Sequence, residues 1–130
     1  MNSITTRTAI ITLEKENFVR MTMLEDVYLD LKDMMDNHLA EQKVANYKPH
    51  VILIDTRTNS MSSDEARKFT AGEEPTKYRL ALALLFKDLS GRIGANSLIN
   101  IYQPKVLTEK FDEESKAIEW LNSILKTQAK

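Results

Sequence analysis

The chain has 130 residues, 42% of them hydrophobic and 28% charged, with a net charge of −1. That is the size and balance of one globular domain, able to bury roughly two thirds of its unfolded surface. Acids and bases alternate without a basic block, which argues against a dedicated nucleic-acid binder. The absence of cysteine excludes disulfides, thiolate nucleophiles and cysteine-held metals, and fits a cytoplasmic setting.

The opening residues, Met1 to Arg7, lack the charged and apolar segments of a secretory leader. The most apolar run, Leu80 to Phe86, is far shorter than the about 20 residues a helix needs to span a bilayer. A membrane span is therefore not expected. One domain over residues 1–130 is, with its core at about 8–126 and short flexible termini.

Along the chain, Thr8 to Leu13 and Phe18 to Met23 read as two strands of an antiparallel hairpin. Between them Asn17 can supply the positive φ of a tight turn. From about Asp26 to Val44 the period becomes helical, with Val27, Leu31, Met34, Met35, His38 and Leu39 as the apolar stripe. Val51 to Ile54 is an unbroken β-favouring run, the pattern of a central strand buried on both faces.

A helix is predicted from about Ser62 to Ala71, stopping at Gly72 before Pro75. The alanines and leucines of Leu80 to Phe86 leave helix or strand open by propensity, and its shortness with Gly91 soon after tilts the reading to strand. Leu89 to about Tyr102 reads as a helix, softened by Gly91 and Gly94 and ended by Pro104. Val106 to Thr108 would be a short strand. After it Asp112 would cap a final helix whose apolar face is Ala117, Trp120, Leu121, Ile124 and Leu125. The order β-β-α-β-α-β-α-β-α predicts a layered α/β domain, a hairpin leading into a mostly parallel mixed sheet covered by helices.

The residues from Val51 to Arg67 are the most informative stretch. A buried strand ends at Asp55-Thr56-Arg57, and a serine-rich loop then enters a helix. Ligands and partners of such sheets gather at the carboxyl ends of the strands. Asp55 and Arg57 share one face of an extended chain. They could bind a polar ligand, act as base and anion holder, or pair with Arg67 and Glu73 in a structural network. Ser62-x-x-Glu65 has the form of a capping box. His38 and His50 have no ligand partner at metal-site spacing, and no phosphate-loop glycine pattern is present. No metal and no cofactor are expected.

The ordered series Ile54-Asp55-Thr56-Arg57, Glu65-Ala66-Arg67-Lys68-Phe69 with Glu73-Glu74, Leu82-Ala83-Leu84-Leu85, Thr108-Glu109-Lys110-Phe111 and Glu119-Trp120-Leu121 resembles the SpoIIAA-like group of the STAS superfamily. The likeness is to its small, stand-alone bacterial members of uncharacterised function and runs from about Ile10 to Leu125. It implies a STAS-like fold. In the anti-anti-sigma relatives it implies a protein-interaction switch, phosphorylated on a serine after the central strand. Ser62 and Ser63 stand nearest that place, but Met61-Ser62-Ser63-Asp64-Glu65 lacks the relatives' glycine and adds two acids. Those carboxylates would repel a phosphate at the helix start.

The reading that follows is a non-catalytic regulatory module that binds another protein, a second copy of itself being one candidate. Its contact surface would include Asp55, Arg57, Ser63 and Arg67. The alternative is a small-ligand or lipid-binding module with a pocket between sheet and helices, under the segment from Leu89 to Tyr102. An enzyme working through Asp55 and Arg57 ranks last, because no nucleophile or second acid stands at a diagnostic spacing.

Overall fold

A computed structural model describes residues 2–128. Any looseness expected of residues 1, 129 and 130 lies outside the described residues. Six strands form the main sheet: β1 (Ser3–Thr5), β2 (Ala9–Lys15), β3 (Phe18–Met23), β5 (His50–Asp55), β7 (Arg79–Leu85) and β8 (Thr108–Phe111), in the spatial order β1-β2-β3-β5-β7-β8. The pairs β1–β2 and β2–β3 are antiparallel, and β3–β5, β5–β7 and β7–β8 are parallel. Two short strands, β4 (Tyr28–Leu29) and β6 (Met61–Ser62), form a separate parallel pair.

Helices α1 (Leu31–Val44), α2 (Asp64–Ala71), α3 (Glu73–Thr76) and α4 (Leu89–Ser97) fall between the strands, and α5 (Glu114–Gln128) follows β8. From β3 onward each new parallel strand is added on the same side of the last. Crossovers of one hand then place their helices on one face, and α1, α2 and α4 do share a core with Ile11, Val19, Met21, Ile52, Ile54, Leu82 and Leu84. Period-two alternation sends Phe18, Val51, Leu53, Ala81, Ala83 and Leu85 to the opposite face, where α5 seals them with Ala117 and Leu121. Trp120, Ile124 and Leu125 pack around that second core, so the predicted apolar face of the last helix is the one buried.

Several local expectations need correction. The N-terminal segment is not loose within the described residues: Ser3–Thr5 is an edge strand, and Arg7 pairs with Asp33. The first helix starts at Leu31 rather than Asp26, because Asp26 takes φ 55 and Tyr28–Leu29 pairs with Met61–Ser62. Its start is fixed by a capping box, Asp30 accepting from Asp33 N and Asp33 from Asp30 N. The cap of α2 is Ser63, accepting from Ala66 N at 3.1 Å, not Ser62 with Glu65. The last strand lies at Thr108–Phe111, two residues later than predicted, with Val106 packed at the edge of the first core. Asn17 does turn the hairpin with φ 63.

The largest departure is in α1. Leu31, Met35 and Leu39, half of the predicted apolar stripe, are exposed, while Asp33, Asn37, Glu41 and Gln42 are buried. The inward face puts Met34, Ala40 and Val44 against the first core and is polar elsewhere, because each of three of those polar groups has a partner on the sheet side. Asp33 meets Arg7, Asn37 meets Thr6 and Thr8, and Glu41 meets His50 and Arg79. Buried polar atoms persist where such partners wait.

The helix after β7 is also two pieces rather than one. Leu89–Ser97 is α-helical, Leu98–Tyr102 is a π-helical turn, and Gln103 closes it in the left-handed region with φ 47. The two glycines of α4 differ in their surroundings. A Cβ at Gly91 would lie 2.9 Å from the Phe86 Cβ, whereas one at Gly94 meets nothing within 4 Å. Gly94→Ala is expected to stabilise the protein by about 0.5–1 kcal/mol through helix propensity. Gly91→Ala is expected to lower stability by pushing α4 off Phe86; paired urea melts check both signs.

Candidate functional site

Three assemblies of polar side chains meet the sheet, and the third borders a cavity. The first is fully buried beneath α1. Arg79 grips Glu41 with two parallel bonds, Nε to Oε2 at 2.9 Å and Nη2 to Oε1 at 2.6 Å, and donates to the Thr70 hydroxyl and carbonyl. His50 sets Nε2 2.7 Å from Glu41 Oε2 and Nδ1 2.8 Å from the Lys48 carbonyl. Burial alone would push the Glu41 carboxyl up, but the charge and hydrogen bonds of Arg79 outweigh it and hold the group at about 2. His50 is thus a packed, hydrogen-bonded strand residue, a role its sequence context did not disclose.

Replacing one member strands its buried partner charges. Glu41→Gln is expected to destabilise by about 3–5 kcal/mol. Acid is expected to lower stability over two pH ranges. Burial holds His38 below its ordinary value of 6.5, so its contribution is complete above about pH 6.5 and declines as the unfolded state takes up a proton. Asp33, held at about 2 chiefly by Arg7, and Glu41, also at about 2, have lowered folded values. Their contribution is present above about pH 4.5 and is lost as pH falls toward 2. Urea titrations from pH 8 to pH 2.5 test this, and His38→Gln should remove the loss in the upper range alone.

The second assembly holds the first two predicted site residues. Asp55 lies on the α5 face, at the carboxyl end of β5. Arg57 binds it through Nε at 3.0 Å, Nη2 at 2.8 Å and its own backbone amide at 3.0 Å. The same guanidinium reaches Glu114 Oε1 at 2.6 Å, while Arg20 spans Glu114, Asp55 and Glu14. Burial would raise Asp55, yet Arg57 and then Arg20 bring it below the usual carboxylate range. This is a closed ion-pair network across β2, β3, β5 and α5. Its partners are Arg20 and Glu114, not the anticipated Arg67 and Glu73. A carboxylate so engaged is a poor general base.

Ser62, Ser63 and Arg67 stand on the other face, so the sheet divides the predicted contact surface in two. Arg67 Nη1 donates to the Ser62 carbonyl and, at 3.1 Å, to its hydroxyl. Nη2 donates to Asp64 Oδ1 at 2.6 Å, an oxygen that also accepts from the Tyr102 hydroxyl at 3.0 Å. The guanidinium lies 5.9 Å from the Tyr102 ring centroid. This third cluster ties α2 to the π-helical turn, and it borders a cavity.

The cavity measures about 350 Å3 and opens between α2, α4 and the carboxyl ends of β3, β5 and β7. Met21, Met23, Ile54 and Leu84 form its floor; Thr56, Ser60, Ser62, Arg67 and Thr70 supply polar groups, and Ser90 and Ser97 add hydroxyls from α4. Its cause is legible in α4, which turns Ser90, Gly91, Gly94, Ala95 and Ser97 toward the space. Such small residues cannot fill the gap that close packing elsewhere would leave closed. Lining residues missed by the sequence reading include four methionines, Met21, Met23, Met34 and Met61. The place itself was expected from the apolar segment between Leu89 and Tyr102.

Comparison with known proteins fits this architecture. A solved structure, an uncharacterised protein from the DUF3478 family with a SpoIIAA-like fold from Shewanella loihica PV-4, superposes with a TM-score of 0.61 at 16% identity. The match covers 91% of this chain and 98% of that one. The fold is therefore SpoIIAA-like, as the ordered strand-end and helix residues suggested. Over residues 11–125 the chain matches a family model described as a domain of unknown function, DUF7793, and it belongs to that family. No curated protein matches it in sequence. Among the described residues no helix is long and apolar enough to cross a membrane, and no group of three or more His, Asp or Glu side chains could hold a metal ion.

Proposed function

We propose that this domain is a non-catalytic binding module for a small, largely apolar ligand held between the sheet and α4. The observation that carries this is the cavity. Its about 350 Å3 lies at the small end of the roughly 300–1,000 Å3 common for small-molecule sites. It sits where open α/β sheets hold ligands, beyond the carboxyl ends of the strands. An apolar floor with a few polar groups around it suits a largely apolar molecule that carries a polar group.

The lining argues for binding rather than turnover. It offers hydroxyls and one guanidinium but no carboxylate, histidine or lysine, so no acid–base pair faces the space. Asp55 and Arg57, the residues an enzyme would have used, are locked together on the opposite face. Native mass spectrometry of freshly purified protein is expected to show a bound small molecule. An environment-sensitive apolar dye should bind the protein and be lost on Ala95→Phe, which fills the cavity from α4. A dye signal unchanged by that variant, with circular dichroism confirming the fold, would remove the cavity from the account.

Protein contact is the second reading, and one observation favours it. Leu31, Met35 and Leu39 form an exposed apolar line along α1, the last two 45% and 60% accessible. A self-complementary helix line suits contact with a second copy across a two-fold axis. Sedimentation is expected to show concentration-dependent dimers that Met35→Glu with Leu39→Glu abolishes; a monomer at every concentration ends this reading.

A further inference from the structure

Helices α1 and α2 run side by side in the same direction. Ser63 N, at the start of α2, donates to the Leu29 carbonyl just before α1. Further along, the Phe69 ring of α2 meets His38 of α1 edge-on, with 5.8 Å between centroids. Both helices carry acids at the start and a base in the last turn, as the helix dipole favours. Asp30 caps α1 and Lys43 stands in its last turn; Glu65 lies in the first turn of α2 and Lys68 in its last. All four residues are exposed.

The outer face that the two helices share is therefore acidic at one end and basic at the other. Along it Leu31, Met35 and Leu39 form the exposed apolar line, set in a shallow depression that Asp30 and Glu65 also border. Lys43 lies one turn beyond Leu39. Lys32 and Asp36 neutralise each other at 3.0 Å. Asp30, Asp36 and Glu65 balance Lys32, Lys43 and Lys68, so the face has no net charge. A strongly acidic or basic partner gains nothing there. A second copy turned end for end meets each charged end with its opposite.

We infer that this face joins two copies of the chain with their α1 helices antiparallel, about a two-fold axis at Met35. This rests on the α1 contact reading above and adds its direction and its charges. Leu31 then meets Leu39 of the second copy, and Met35 meets its own image. The acidic end at Asp30 and Glu65 falls on the basic end at Lys43 and Lys68. A parallel pair would instead stack like charge on like. Exposed ion pairs add little affinity, so the apolar line holds the dimer and the charges choose its direction.

The chain has no cysteine of its own, so single cysteines report the direction cleanly under mild oxidation. Met35→Cys is expected to cross-link to itself. Leu31→Cys and Leu39→Cys are expected to cross-link to one another when mixed, and neither to itself. In the antiparallel pair two copies of position 39 stand about 12 Å apart along the axis, beyond the reach of a disulfide. Lys43→Glu with Lys68→Glu should weaken the dimer at least tenfold in sedimentation. Adding Asp30→Asn, which keeps the capping oxygen, and Glu65→Lys to the same chain should restore it, which a mere loss of folding would not allow. Leu39→Cys cross-linking to itself as readily as to Leu31→Cys, or a dimer indifferent to the lysine substitutions, overturns the antiparallel inference and leaves the α1 contact standing. A dimer that cross-links at none of the three positions, or a monomer at every concentration, overturns both.

Discussion

A carboxylate sealed from solvent must be answered where it stands, and around Glu41 that requirement organises half of the molecule. Glu41 belongs to α1, His50 begins β5 and Arg79 begins β7, so one buried group ties a crossover helix to the starts of two central strands. Such pairs add little to stability over a well-packed apolar equivalent, but they are severe about geometry. Two parallel bonds from Arg79 and one contact with His50 admit one rotation of α1 and one depth. The polar inner face of α1, with Asp33 and Asn37 held in the same way, follows from that constraint.

That constraint explains where sequence reasoning succeeded and where it failed. Val51 to Ile54, Leu80 to Phe86 and the last helix were legible because burial on both faces, or along one stripe, leaves a direct imprint on residue type. The order of the main elements followed, while the SpoIIAA-like architecture was legible through the resemblance carried by the ordered residue series. The inverted polarity of α1 was not legible, since the rule that apolar residues face inward fails when polar groups are matched by distant partners. Nothing near Glu41 announces Arg79, 38 positions away along the chain.

The strand-end residues show the same limit. Asp55 and Arg57 were correctly placed at the carboxyl end of a central strand and on one face, yet which face depends on the alternation of the whole sheet. Asp55 follows Val51 and Leu53 toward α5, while Ser62 and Arg67 follow the chain across to α2. Residues seven and twelve positions apart in sequence therefore serve opposite sides. The cavity was partly foreseeable, because Ser90, Gly91, Gly94 and Ala95 are too small to cover a sheet bearing methionines and leucines. The polar groups from the α2 side were not, because Ser62 and Arg67 reach the cavity only through the path of the chain from β5 across to α2.

The four methionines around the cavity give its wall a property that a leucine or valine wall would lack. Unbranched thioether chains rearrange at little expense, so the space can conform to occupants of different girth without displacing the sheet. They are also the side chains that oxidants convert to sulfoxides, turning an apolar wall polar. Met61, 63% accessible in the β6 strand that borders the cavity, would be reached first, and Met21, 1% accessible, last. Oxidation would therefore turn the wall polar from the solvent edge inward.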